Sequence, residues 1–155
     1  MIPKTDHPQH TLDPLVLLAL TILLTLALQW LWPLPFLPSL PSRIIGAILF
    51  VGGFSLGFPA LRGMLKANTT PNPHHPTTAL VFNETYRITR NPMYLGMLVS
   101  YSGLFIFLQN AWFILFLPFL IWLFTAWVII PEEKYLEGKF GKEYLDFKAS
   151  VRRWI

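Results

Sequence analysis

The sequence predicts an all-α, polytopic membrane protein, with about four transmembrane helices in two hairpins and an amphipathic C-terminal helix. Three observations predict it. First, only 13% of the 155 residues are charged and 54% are hydrophobic, whereas a soluble domain carries about a quarter charged residues. Second, the few charges leave long gaps: Arg43 stands alone between Pro14 and Leu61, and no charge occurs from Asn91 to Pro131. Third, each gap is about twice the roughly 20 apolar residues that one helix needs to cross a bilayer core. A disordered chain and a soluble enzyme with a solvated shell are excluded on composition. The mean hydropathy of +0.49 agrees, and a single membrane domain over residues 1–155 is expected.

The first hairpin is expected over residues 14–32 and 43–65, interrupted by Pro33, Pro35, Pro38 and Pro41. Prolines at that spacing each remove a donor and clash with the preceding turn, so the helix should break there. The first span is long and has no A-x-A cleavage site, so it reads as a retained helix rather than a signal peptide. The second hairpin is expected over residues 92–108 and 111–130, turning at Gln109 and Asn110. Pro118 falls inside the last span, where a transmembrane helix tolerates it with a kink.

Four spans place both termini and the loop 66–91 on one side. All twelve Lys and Arg except Arg43 lie there, so the positive-inside rule assigns that side to the cytoplasm. The net charge of +4 then forms a basic rim against anionic headgroups. No stripe of basic and aromatic residues calls for nucleic acid. Cysteine is absent, which removes disulfides, thiolate metal sites and a cysteine nucleophile. The pairs His7/His10 and His74/His75 lack helical ligand spacing with a carboxylate, so no metal is expected.

Chemistry concentrates in two segments predicted to share the cytoplasmic side, Asn72 to Gly96 and Pro131 to Lys148. Pro92 suits a first helical position, since its missing N–H would be unpaired there anyway. That places Arg90 and Asn91 at the mouth of the third span, where open N–H groups favour an anion. Arg90 adds a planar fork suited to a carboxylate. Tyr94 lies one turn further on the same face, and Gly96 permits close approach of a ligand or another backbone. An interfacial arginine with a tyrosine of the aromatic belt accounts for the same residues. Glu132 and Glu133 directly follow the fourth span. They suit either a helix N-terminus or hydrogen bonding to ribose hydroxyls, an ammonium or a sulfonium. The tail over residues 131–155 repeats Leu136, Phe140, Tyr144 and Phe147 at helical spacing, which suits an interfacial anchor or a lid. Gly138 and Gly141 should divide it.

The stretch L-V-F-N-E-T-Y-R-I-T-R-N-P-M-Y-L-G, then a hydrophobic hairpin, E-E and F-G-K-E-Y-L-D-F-K, resembles the isoprenylcysteine carboxyl methyltransferase and phospholipid methyltransferase superfamily. The resemblance covers about Thr69 to Trp154, and its N-P-M-Y form looks closer to bacterial and phospholipid-type members. It implies an integral membrane enzyme using S-adenosyl-L-methionine. By match, Leu80, Val81, Tyr86, Arg90, Asn91, Pro92, Tyr94, Gly96, Glu132 and Glu133 would line the cofactor pocket. Arg90 and Glu132 would carry the chemistry. The chain departs from the family in two places: Glu84-Thr85 stand where a glycine is usual, and Thr78 where eukaryotic members have a histidine. The expected acceptor is lipid-like or apolar and enters from the bilayer, the expected location a bacterial inner membrane. A phospholipid amine acceptor and a non-catalytic membrane scaffold are the alternatives. The related sterol reductases, which use a nicotinamide phosphate cofactor, are much larger.

Overall fold

The computed structural model describes residues 13–69, 76–82 and 84–155; both histidine pairs lie outside them. The described residues form helices and connecting loops. Helix α1 spans Pro14–Leu31, its first turn capped by Asp13, whose Oδ1 accepts from the Leu15 N–H at 2.7 Å. Helix α2 spans Ser39–Lys66 and α3 spans Pro92–Phe107. One further long helix runs from Phe113 to Phe140. It consists of α4 (Phe113–Leu123), a π-helical stretch over Phe124–Ile129, and α5 (Ile130–Phe140). Helix α6 (Lys142–Ser150) follows, and Val151 to Ile155 form an extended strap.

Three of these helices, α1, α2 and Phe113–Phe140, are long and apolar enough to cross a membrane, and α3 is a shorter apolar helix. Large apolar side chains such as Trp30, Leu23, Ile48, Val51 and Leu115 face outward. Water would not tolerate so continuous an apolar surface, and lipid does. The protein is an integral membrane protein.

Small residues decide how α2 meets α3. A Cβ added to Gly96 would lie 2.6 Å from the Gly53 carbonyl oxygen, and one added to Gly46 would lie 2.7 Å from that of Gly103. The two backbones therefore touch, as small-residue faces allow where lipid offers no hydrophobic drive between helices. The rest of the core is aromatic and aliphatic: Tyr101, Phe105, Leu120, Phe124, Val128 and Ile129 are fully or almost fully buried. Buried polar atoms here are paired. The Thr25 and Tyr101 hydroxyls share a 2.8 Å hydrogen bond, and Asn110 Nδ2 donates to the Thr25 carbonyl at 3.1 Å. Asn110 Oδ1 accepts from the Trp112 N–H, which ties the α3–α4 turn, with Gln109 at φ +57°.

Three local expectations need correction. Pro41 does not lie in a break: α2 starts at Ser39, which puts Pro41 in the first turn, where its missing N–H costs nothing. Gly138 does not divide the tail, because a glycine inside a helix costs only about 1 kcal/mol. The helix ends instead at Gly141, at φ +54°. Finally, Glu132 and Glu133 do not cap a new helix, since the backbone is helical continuously from Phe113 to Phe140.

Candidate functional site

The apolar run of the long helix ends at Ile130, and the next turn carries Glu132 and Glu133. A cavity opens there. Its walls come from the loop after α2 (Thr77, Ala79, Leu80, Val81 and Phe82) and from Tyr86 in a short 3-10 turn over Glu84–Arg87. Arg90, Asn91, Pro92, Met93 and Tyr94 at the start of α3 line it as well, as do Ile129, Glu132, Glu133, Leu136, Tyr144 and Phe147. Phe147 closes one wall, with its ring 5.1 Å from Phe82 and 6.5 Å from Tyr86.

The two adjacent carboxylates face different partners, since neighbours on a helix point about 100° apart. Tyr94 OH donates to Glu132 Oε2 at 3.0 Å, and the Tyr94 ring packs edge-on against Phe124. Glu133 is buried and meets two arginines. Arg153 clasps it with a fork, Nε to Oε1 at 2.9 Å and Nη2 to Oε2 at 2.8 Å, while Arg90 Nη2 lies 3.1 Å from Oε1. Burial pushes the Glu132 carboxyl up to about 7; Glu133 adds to the rise and the Tyr94 hydrogen bond opposes it. Burial alone would raise Glu133 too. The fork from Arg153 and the charges of both arginines outweigh it and hold Glu133 below its ordinary value. Near neutral pH the pair therefore splits into a permanent anion and a carboxyl poised to titrate. Tyr86 and Tyr144 are pushed up mainly by burial, so both stay protonated.

Arg90 is the unusual member. Its side chain is 8% exposed, yet its Nε and Nη1 are buried and have no hydrogen-bond partner among the described residues. Two guanidinium donors beside a cavity with no partner among the described residues are costly and make a site for an anionic group. The same cavity offers the Glu132 carboxyl for a cation or a hydroxyl, and aromatic walls for an apolar ring. Its donors and acceptors fit a ligand that carries a carboxylate at one end and a positive centre nearby.

The structure brings Leu80, Val81, Tyr86, Arg90, Asn91, Pro92, Tyr94, Glu132 and Glu133 together on this cavity. Gly96 is not with them. It lies at the α2–α3 contact, where only a hydrogen side chain fits against Gly53 and Gly57. Asn91 also ties down the C-terminal strap, where its Nδ2 donates to the Arg153 carbonyl at 2.9 Å. Thr78 staples the loop instead of lining the cavity. Its N–H donates to Thr69 Oγ1, and its hydroxyl donates to the Asn68 carbonyl.

Sequence reasoning missed the strap. The Arg90 N–H donates to the Arg152 carbonyl at 3.0 Å, and the Thr89 hydroxyl to the Arg153 carbonyl at 3.0 Å. Trp154 Nε1 reaches Thr125 Oγ1 at 3.3 Å. One signal was available: two adjacent carboxylates and a single motif arginine leave a buried acid short of a counter-ion, and Arg152 and Arg153 stand further along the chain.

A model of the phospholipid methyltransferase family matches residues 41–143. The chain belongs to that family. It is also 30% identical over 108 residues to protein-S-isoprenylcysteine O-methyltransferase A of Arabidopsis thaliana, a match covering 70% of this chain and 52% of the relative. An uncharacterised protein of Haemophilus influenzae is 38% identical over 63 residues, which are 41% of this chain and all of that protein. The chain thus spans about half the length of the plant methyltransferase it matches. No solved structure matches. The family match includes α2, α3, the long helix and both carboxylates; the strap lies beyond it.

Proposed function

We propose that this chain is an integral membrane methyltransferase that uses S-adenosyl-L-methionine and acts on a lipid-like or apolar acceptor, as an isoprenylcysteine carboxyl methyltransferase does. The observation that carries this reading is the buried Arg90 side chain, with two donors that have no partner among the described residues, on the same cavity as Glu132. When bound, the cofactor supplies an electrophilic methyl carbon on a sulfonium sulfur.

Arg90 would hold the carboxylate end through Nε and Nη1, and Glu133 keeps the guanidinium in place through Nη2. Glu132, once ionised, would attract the positive centre. Phe82, Tyr86 and Phe147 form an aromatic wall of the cavity, and holding the reactants together there supplies most of the rate. A carboxylate or thiolate acceptor needs no base. An amine or hydroxyl acceptor loses a proton, and Glu132 would accept it. Its value near neutrality favours a second reading, an amine acceptor as in phospholipid N-methylation. An apolar groove between α1, α2 and α3 shares Met93 with the cavity, which supports entry of the acceptor from the bilayer. The basic rim supports a site on the cytoplasmic face, and a bacterial inner membrane fits that topology.

The test is titration of the detergent-purified protein with S-adenosylhomocysteine. Binding in the micromolar range is expected. No binding at high micromolar concentration overturns the cofactor class, in favour of a non-catalytic scaffold. Binding that Arg90→Ala leaves unchanged overturns the role of Arg90. Mass spectrometry of methylated products from a membrane extract then distinguishes carboxyl from amine acceptors.

A further inference from the structure

An arginine and a carboxylate left alone in a buried site close into a two-bond fork. Arg90 and Glu133 do not. Only Nη2 of Arg90 reaches Glu133, through Oε1, while Nε and Nη1 remain without partners among the described residues. The reason lies on the other side of Glu133. Arg153 already engages both of its oxygens, at 2.9 and 2.8 Å, and fixes the plane of the carboxylate. Arg153 is itself held from behind. Its carbonyl accepts from Thr89 Oγ1 and Asn91 Nδ2, and the neighbouring Arg152 carbonyl accepts from the Arg90 N–H. The strap is thus tied to the segment that carries Arg90, and Glu133 cannot rotate toward Arg90 without leaving Arg153.

We propose that Arg153 is a positioning residue: by clasping both oxygens of Glu133, it prevents Glu133 from closing a fork on Arg90 and so keeps Arg90 Nε and Nη1 open for the carboxylate of the bound ligand. This rests on the cofactor reading above. It assigns the strap, outside the family match, a direct share in cofactor affinity. A positive charge at position 153 is not enough, because lysine is a point charge with no planar fork.

The test compares affinities for S-adenosylmethionine and for its decarboxylated form, which lacks only the carboxylate, in wild type, Arg153→Lys and Arg153→Ala. In wild type the carboxylate should strengthen binding by about tenfold or more, the range of a charge-assisted pair. In both variants that ratio should collapse toward one, with the decarboxylated form bound within about twofold of wild type, as expected when only the open donors of Arg90 are lost. A wild-type ratio near one overturns the proposal, as does a ratio that survives in both variants. Retention in Arg153→Lys alone shows that charge suffices and overturns it as well. Loss of both ligands by both variants assigns Arg153 to the fold and overturns it. If wild type binds neither ligand, the cofactor reading itself fails, and this proposal with it.

Discussion

The titration of Glu132 gives the cofactor reading a quantitative consequence. Its carboxyl sits near 7 because it is buried, and the adjacent Glu133 anion adds to the rise. Glu133 stays ionised, and Tyr86 and Tyr144 stay protonated, through the neutral range. Raising the pH from 6 to 8 therefore changes one charge among these cavity groups. With a midpoint near 7, the ionised fraction of Glu132 rises from about one-tenth to about nine-tenths. If only the ionised form receives the sulfonium, apparent affinity scales with that fraction and rises about tenfold. S-adenosylhomocysteine has a neutral thioether in place of the sulfonium and should not share the rise. The assay is isothermal titration of both ligands at pH 6, 7 and 8, read as the ratio of their affinities. The ratio should climb with pH in wild type and be flat in Glu132→Gln. By reciprocity, binding of the cation lowers the midpoint of Glu132 and releases protons at pH 6, visible as a dependence on buffer ionisation enthalpy. Stability carries the opposite sign. A carboxyl raised in the folded state costs stability as pH climbs from its ordinary 4.5 through 7, by up to about 3 kcal/mol. Glu132→Gln should therefore gain thermal stability over wild type at pH 8 and not at pH 4. A wild-type ratio independent of pH refutes the placement of the sulfonium against Glu132.

Three further outcomes follow from the packing. Tyr94→Phe removes the hydrogen bond that opposes the rise of Glu132, so the midpoint of the affinity ratio should move above its wild-type value; a downward shift would contradict the hydrogen-bond pattern. Gly96→Ala places a methyl 2.6 Å from the Gly53 carbonyl oxygen and should cost about 1–3 kcal/mol through overpacking, measured as a lower unfolding midpoint in detergent. An unchanged midpoint would show that α2 and α3 do not meet there. Asn110→Ala leaves the Thr25 carbonyl and the Trp112 N–H without their partner and should cost about 1–3 kcal/mol, read in the same unfolding assay with ligand affinity preserved.

Much of the architecture was legible because bilayer physics is written in composition. Charge-free runs of the right length can only be helices, since lipid satisfies no backbone donor. Pro92 at a first helical position and the Gln109-Asn110 turn follow from local chemistry alone. The π-helical stretch over Phe124–Ile129 was not legible. It is built from the same apolar residues as the α-helical turns around it, and nothing in their order marks a wider turn. Gly96 stayed open between two readings for a related reason: a glycine announces close approach without saying what approaches. Here it is the backbone of α2.

The sequence alone determined that the protein lives in a bilayer, which segments form its apolar helices, and that Arg90, Glu132 and Glu133 stand at the ends of the last two apolar runs. Those facts are properties of residue type and spacing. Only the tertiary structure decided how those charges divide their work. Glu132 faces Tyr94 and the cavity, whereas Glu133 faces two arginines, because successive residues on a helix point in different directions and packing selects what each one meets. Arg153 joins Glu133 from twenty residues along the chain. No local pattern encodes that pairing, which exists because α5, α6 and the strap fold back over the start of α3.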